Sequence, residues 1–286
     1  MRLSSIAKYS IFSVKADDPL DKAICLMEEH QIHHLPVLEN GRVVGMLSDR
    51  DLLISVGWKL EIERVVRGRT SRTVGPKYIR EVMSSPPVCL EPESDIHTAA
   101  RLMATGKFHA APLVHKGALS GLVTSIDLLS AFCGAKEQTP IPARLSDSVR
   151  RHMRVKVHTV GPHEPLHVVA RILKELNIRH LPITADEILI GIISDRDIRR
   201  TCGVEMIEDE QAEAAGKAYF GPTTVLQVMT RKVNTVSATA TMLDVLRIMT
   251  EFHLGCVPVT DGVKLVGLLT ETDMLRFVAQ IDEEQG

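Results

Sequence analysis

Four aspartates, Asp51, Asp127, Asp197 and Asp273, each stand three residues after a hydroxyl, Ser48, Thr124, Ser194 or Thr270. A glycine opens every phrase (Gly45, Gly121, Gly191, Gly267), so Gly-apolar-apolar-Ser/Thr-x-x-Asp is written four times. A hydroxyl followed three residues on by an acid spells a helix capping box, in which each side chain satisfies a main-chain N–H of the other residue. The same atoms suit a ligand. A helix N-terminus attracts phosphate, whereas the carboxylate repels phosphate and suits a ribose, whose vicinal hydroxyls can donate two hydrogen bonds to it. Capping alone tolerates Glu or Gln, yet all four copies use Asp, which tips the reading toward a ligand.

The elements that must hold these residues repeat with them. An apolar set at helical spacing precedes each phrase: Leu20, Ala23, Ile24, Met27; Ile96, Ala99, Ala100, Met103; Leu166, Val169, Ala170, Leu173; Met242, Val245, Leu246, Met249. Nine residues after each set comes a proline (Pro36, Pro112, Pro182, Pro258), and fifteen after that the aspartate. Two short Val/Ile/Leu-rich runs lie between, parted by Asn40-Gly41, Lys116-Gly117 and Asp261-Gly262 in copies one, two and four, which predicts β-hairpins. The prolines are 76, 70 and 76 residues apart, so copies one and two map onto three and four at a constant offset of 146. A two-copy module was duplicated whole, and even connector residues follow: Gly75-Pro76 recurs as Gly221-Pro222, and Val82-Met83 as Val228-Met229. A unit of this size is marginal alone, so copy one is expected to pair with two and three with four.

With its His-Leu-Pro-Val strand and Gly-apolar-apolar-Ser-Asp-Arg-Asp helix start, the repeat resembles the CBS domain, named for cystathionine β-synthase. The resemblance covers nearly the whole chain, as repeats over residues 8–58, 78–135, 149–204 and 224–282. It implies an α+β fold of four βαββα units in two tandem pairs (Bateman modules). In layout the chain is also similar to the regulatory gamma subunit of AMP-activated protein kinase, whose pairs close into a disk. In this family the clefts between paired units bind adenosine-containing ligands. By position, the resemblance puts Asp51, Asp127, Asp197 and Asp273 on ribose, Ser48, Thr124, Ser194 and Thr270 near phosphate, and Ser13, Cys89, Thr159 and Thr235 against the base.

Related disk-forming proteins carry phosphate-reaching basic groups three and two residues before the proline. Here those places read His33-His34, His109-Ala110, Arg179-His180 and Gly255-Cys256, and Arg50 and Arg196 add charge in copies one and three. Phosphate is therefore expected on His33, His34, His109, Arg179, His180, Arg50 and Arg196, unequally among clefts; the competing reading is of solvated strand and helix residues. The expectation is a cytoplasmic, non-enzymatic regulator that needs no cofactor, takes AMP, ADP or ATP as regulatory ligand, and signals to a partner protein as a homodimer or an internally closed disk. Alternatives are a scaffold with empty clefts, or a sensor of S-adenosylmethionine, NAD or a cyclic dinucleotide.

Composition narrows the field. The 286 residues carry a net charge of −2 and 3% aromatics, which gives no basis for a nucleic-acid partner. No apolar run reaches the roughly 18–20 residues of a membrane span. Five cysteines (Cys25, Cys89, Cys133, Cys202, Cys256) lack a Cys-x-x-Cys pair and are read as buried small apolar residues. His163-Glu-Pro-Leu-His167 mimics a metalloprotease motif, but Pro165 places His163 ahead of the helix, so no metal site is expected. Neither a P-loop, a Rossmann fingerprint nor a nucleophile with its base appears. The connectors differ in sign: 57–80 holds seven basic and two acidic residues, and 203–223 five acidic and one basic, which would let them pair.

Overall fold

The computed structural model describes residues 1–52, 76–133, 143–198 and 224–281. The predicted connector pairing lies outside them, apart from residues 76–80.

Each repeat forms the helix and hairpin its spacing predicts. In repeat 1 these are β1 (Val14–Lys15), α1 (Leu20–Glu29), β2 (His34–Glu39), β3 (Arg42–Ser48) and the start of α2 (Asp49–Leu52). Repeat 2 contributes α3 (Ile96–Gly106), β4 (Ala110–His115), β5 (Ala118–Thr124) and α4 (Ser125–Cys133). Repeat 3 contributes α5 (Leu166–Glu175), β6 (His180–Ala185) and β7 (Ile188–Ser194), after which residues 195–198 are helical. Repeat 4, preceded by the short α6 (Val225–Val228), has β8 (Val236–Ser237), α7 (Met242–Glu251), β9 (Cys256–Asp261), β10 (Lys264–Thr270) and α8 (Glu271–Ala279). The apolar sets face inward: Ala23, Ala99, Val169 and Val245 are fully buried.

The hairpins share one design, an antiparallel pair with a register shift at the same place, between Val37 and Leu38, Leu113 and Val114, Ile183 and Thr184, and at Leu265/Gly267. Asn40-Gly41 and Lys116-Gly117 both take positive φ, which matches the twist of the flanking strands. Repeat 3 makes the same turn without glycine, on Asp186 (φ 50°) and Glu187 (φ 67°). In repeat 4 the turn sits one residue later than expected: Asp261 ends β9, and of the pair only Gly262 (φ 60°) takes positive φ.

Pairing follows the expected order by an exchange of leading segments. Leu3–Ser5, ahead of repeat 1, is bonded to repeat 2 (Leu3 N–H to Ser94 O, 2.9 Å), and Ile79–Glu81 returns to repeat 1 (Ile79 N–H to Asp18 O, 3.0 Å). Val149 and Val225 repeat the exchange between repeats 4 and 3, donating to Ala240 O (2.9 Å) and Glu164 O (3.0 Å). Each segment then crosses the phrase glycine of its host. A Cβ at Gly45, Gly191 or Gly267 would come within 2.6, 2.6 or 2.5 Å of the sulfur of Met83, Met229 or Met153. The recurring Val-Met of the connectors is thus the partner of the recurring glycine.

In the second pair the hairpins join edge to edge, β7 to β10, in a five-stranded sheet β6-β7-β10-β9-β8; in the first, β3 lies beside β5. Between pairs, α3 packs on α8 and α4 on α7, so repeats 2 and 4 share one apolar core, while repeats 1 and 3 each have their own.

The expectation of buried cysteines is corrected. Cys25 and Cys89 are exposed, Cys133 is half-buried and Cys256 is buried, because only Cys256 falls on an inward strand position; Cys202 lies outside the described residues.

Candidate functional site

All four phrases close a capping box. The main-chain N–H and hydroxyl of Ser48 donate to Asp51 Oδ2 at 2.8 and 2.6 Å; Thr124 does so to Asp127 (2.8, 2.6 Å), Ser194 to Asp197 (2.7, 2.7 Å) and Thr270 to Asp273 (3.0, 2.6 Å). Each aspartate N–H returns to the hydroxyl oxygen at 3.2–3.4 Å. The box leaves Oδ1 to face outward. At Asp127 that oxygen meets Lys8 Nζ at 3.1 Å, and at Asp273 the carboxylate takes three contacts from Arg154, Nε to both oxygens at 3.0 Å and Nη2 to Oδ1 at 2.7 Å.

The residue after each hydroxyl, passed over as a variable position in the sequence, is the second half of the site. Asp49, Ser125, Asp195 and Glu271 are all buried. Each donates its main-chain N–H to the carbonyl three residues before the proline: Asp49 to His33 (3.0 Å), Ser125 to His109 (2.9 Å), Asp195 to Arg179 (3.0 Å) and Glu271 to Gly255 (3.0 Å). That bond ties the helix start to the residue just ahead of the first hairpin strand in every repeat, a residue that is basic in repeats 1 to 3 and glycine in repeat 4. A signal was available: the position is acidic or hydroxyl-bearing in all four copies.

These eight positions converge where the repeats meet. His33 Nδ1 lies 3.2 Å from Asp49 Oδ2, His109 Nδ1 3.2 Å from Glu271 Oε2, and Ser125 Oγ donates to Glu271 Oε1 at 3.2 Å. Arg196 Nε donates to Asp49 Oδ2 at 2.8 Å, and Arg179 stands 3.8 Å from Asp49 and 3.7 Å from Asp195. Gly255 is glycine for a reason besides charge: a Cβ there would fall 2.9 Å from the ring of His180. Arg50 is placed apart from the other six basic residues expected on phosphate. It donates to Asn177 Oδ1 (2.9 Å) on repeat 3 and is not among the cavity-lining residues, because its helix start directs it across the contact between repeats 1 and 3.

Burial and neighbouring charge set the protonation states. Enclosure pushes the His34 and His180 imidazoles down to about 3, with Arg179 and Arg196 adding to the effect, so both are neutral at neutral pH. Burial also favours a neutral Asp49, but the His33 contact and the charge of Arg196 outweigh it and hold this carboxyl well below the usual range. Asp195 is raised, by burial above all. Glu271 is lowered: burial opposes this, and the contact with His109 prevails.

A cavity of about 420 Å³ opens at this junction, within the size range of small-molecule sites. Its lining includes Ile11, Phe12 and Ile126, Thr124 and Asp127, and the junction residues His33, His34, His109, Arg179, His180 and Arg196 with Asp195 and Glu271. Apolar side chains, a carboxylate and basic groups thus share one cavity, the three chemistries that a base, a ribose and a phosphate require. The residues of the leading segment in this wall are Lys8 and Ser10–Phe12; Ser13, expected against the base, directly follows them and is not in the lining. Cys89 and Thr159 are exposed and Thr235 half-buried, and none lines this cavity; nor do Ser48, Asp51, Ser194, Asp197, Thr270 and Asp273. Among the described residues no cluster of His, Cys, Asp and Glu could hold a metal, and Pro165 caps α5 with His163 outside it. No helix among them is long and apolar enough to cross a membrane.

The CBS domain family model matches residues 3–57, 79–134, 149–203 and 225–280. The chain belongs to the CBS-domain family. It is 25% identical over 98% of its length to the uncharacterised protein MJ1225 of Methanocaldococcus jannaschii, covering 99% of that protein. The crystal structure of MJ1225, presented as that of a candidate archaeal homologue of g-AMPK, superposes with a TM-score of 0.79 at 24% identity over 97% of this chain and all of the other. An uncharacterised conserved protein from Pyrococcus horikoshii superposes with a TM-score of 0.65 at 18% identity, over 98% of this CBS chain and all of the other. CBSX2, solved in complex with AMP, is 26% identical over 47% of this chain and 98% of its own, with a TM-score of 0.39.

Proposed function

We propose that this four-repeat CBS protein is a cytoplasmic regulator, not an enzyme, that binds an adenine nucleotide of the AMP, ADP or ATP type between repeats 1 and 2 and signals to a partner protein. The observation that carries the reading is that one cavity is lined by Phe12 and Ile126, by Asp127 and by the His/Arg junction together. Each part of a nucleotide finds a chemical complement within that cavity. The junction draws on all four repeats, so phosphate there would contact both pairs at once. A ligand that contacts one arrangement of the pairs better than another shifts their equilibrium, which is what a sensor requires. Asp51 and Asp197, with Ser48 and Ser194, form equivalent boxes and are proposed as further ribose and phosphate positions of lower affinity.

A ligand that binds the native state alone must stabilise it. Thermal unfolding with AMP, ADP, ATP, S-adenosylmethionine, NAD and cyclic dinucleotides in turn is expected to show a rise in midpoint with an adenine nucleotide, and a clearly smaller rise with that nucleotide in Asp127→Asn. No stabilisation by any of them would leave the scaffold reading, in which the capping boxes only cap.

A further inference from the structure

The exchanged segments place one residue opposite each ribose carboxylate, and the four differ. Lys8 and Arg154, 146 residues apart, are held by paired main-chain hydrogen bonds to Leu122 and Leu268 (2.9 Å each way for Lys8, 2.9 and 3.0 Å for Arg154), beside Asp127 and Asp273. The same bridge holds Ser84 against Met46 and Thr230 against Ile192, and these bring no charge.

We propose that this residue decides which clefts accept a nucleoside, and that Arg154 closes the cleft at Asp273 while the cleft at Asp127 stays open. The inference rests on the nucleotide-sensor reading. A carboxylate offers about four lone-pair sites. At Asp273 the N–H and hydroxyl of Thr270 occupy two, and Nε and Nη2 of Arg154 occupy the rest, with Arg276 a further 3.6 Å away. No acceptor remains for a ribose diol. The diol would have to displace a bidentate, charge-assisted pair with two neutral donors, and bonds to an ionised partner are about twice as strong. At Asp127 the count differs. Thr124 takes two sites and Lys8, 62% exposed, takes one through a single contact at 3.1 Å from which it can swing aside, whereas Arg154, 49% exposed, is held to Asp273 by three contacts through Nε and Nη2. The cavity lining agrees, since it includes Thr124 and Asp127 and neither Thr270 nor Asp273. Arg154 is thus a specificity-determining residue that acts by occupying a ligand's acceptor, and the second pair keeps its fourth aspartate as a structural partner.

Equilibrium dialysis of the full chain with labelled AMP counts sites directly. Asp127→Asn is expected to lose a site relative to the unsubstituted chain, whereas Asp273→Asn loses none. Arg154→Ala is expected to gain about one AMP per chain, and Asp273→Asn in that background to remove the gain. Arg154→Gln, which keeps length without the fork, serves should the alanine variant fold poorly. An unchanged count in Arg154→Ala and Arg154→Gln, or a site lost in Asp273→Asn alone, overturns the proposal and leaves the sensor reading standing. Absence of AMP binding in every form overturns both.

Discussion

Arg196 reaches from repeat 3 into repeat 1 and places Nε 2.8 Å from Oδ2 of Asp49, a carboxylate only 2% exposed. The contact joins the two pairs at the junction where His33 and Arg179 also face Asp49. Removing one partner of a fully buried pair costs about 3–5 kcal/mol, because the other charge is stranded. Arg196 is more than a third exposed, so water recovers part of that loss. Asp49→Asn is therefore expected to cost about 1–3 kcal/mol in denaturant unfolding. The Asp49 carboxyl is lowered, so its contribution is complete above the unfolded value of about 4 and fades as pH falls through the folded one. The Asn variant should lose least below pH 4, and a constant deficit at all pH values would refute the assignment.

The leading segment of repeat 1 belongs physically to repeat 2. Leu3 is fully buried in the core shared by repeats 2 and 4, with Ala100, Met103 and Val149 among that core's residues. Leu3→Ala should cost about 2–5 kcal/mol through the lost side chain and the cavity left behind. Hydrogen exchange ought to quicken in α3, β4 and β5 and leave β1–β3 little changed. Opening that begins in β1–β3 would contradict the exchange.

Methionine sulfurs over the phrase glycines give a second structural test. None of Gly45, Gly191 and Gly267 has positive φ, so alanine there meets a neighbour rather than backbone strain. Met153 can give way in part, and Gly267→Ala should cost about 1–3 kcal/mol by overpacking. Gly121→Ala should cost less, because its Cβ would find Leu113 Cδ1 at 3.2 Å and the Ala7 methyl at 3.5 Å. Adding Met153→Ala to Gly267→Ala should restore part of the loss; equal costs at Gly121 and Gly267 would show that the crossing methionine is not the cause.

The four helix sets, the hairpins, the pairing order and the capping boxes were legible because each is local and appears four times at fixed spacing. The junction was half legible. Six of the seven basic residues singled out do meet there, whereas Arg50, grouped with Arg196 because both stand in a Ser-Asp-Arg-Asp phrase, lies outside the cavity lining. The two arginines differ in what the opposite repeat offers, Asn177 to one and Asp49 to the other, and sequence spacing carries no information on that. Asp49, Ser125, Asp195 and Glu271 escaped notice because an exposed and a buried helix start read alike until the repeats are assembled. Lys8 and Arg154 were hidden by the exchange of segments, which brings each beside an aspartate 119 residues further along the chain.

The histidines at the junction make the last prediction a matter of protons. His34 and His180 are pushed down to about 3, while Asp49, Asp195 and Glu271 already oppose Arg179 and Arg196, so the unliganded junction offers phosphate little net positive charge. A phosphate seated there favours the imidazolium form, so its binding is expected to draw protons onto the junction histidines. AMP should therefore bind with net proton uptake and more tightly as pH is lowered from 8 to 6, whereas adenosine, which lacks the phosphate, should show neither effect. Calorimetry at pH 6.5 in buffers of different ionisation enthalpy measures the uptake. It should shrink in His34→Gln and His180→Gln, and these variants should also unfold less readily between pH 6.5 and 4. In that window the unfolded chain binds protons that the folded His34 and His180 refuse, so removing either imidazole removes a source of acid destabilisation. Observed enthalpies for AMP that do not depend on the buffer would mean that the phosphate does not lie among these rings.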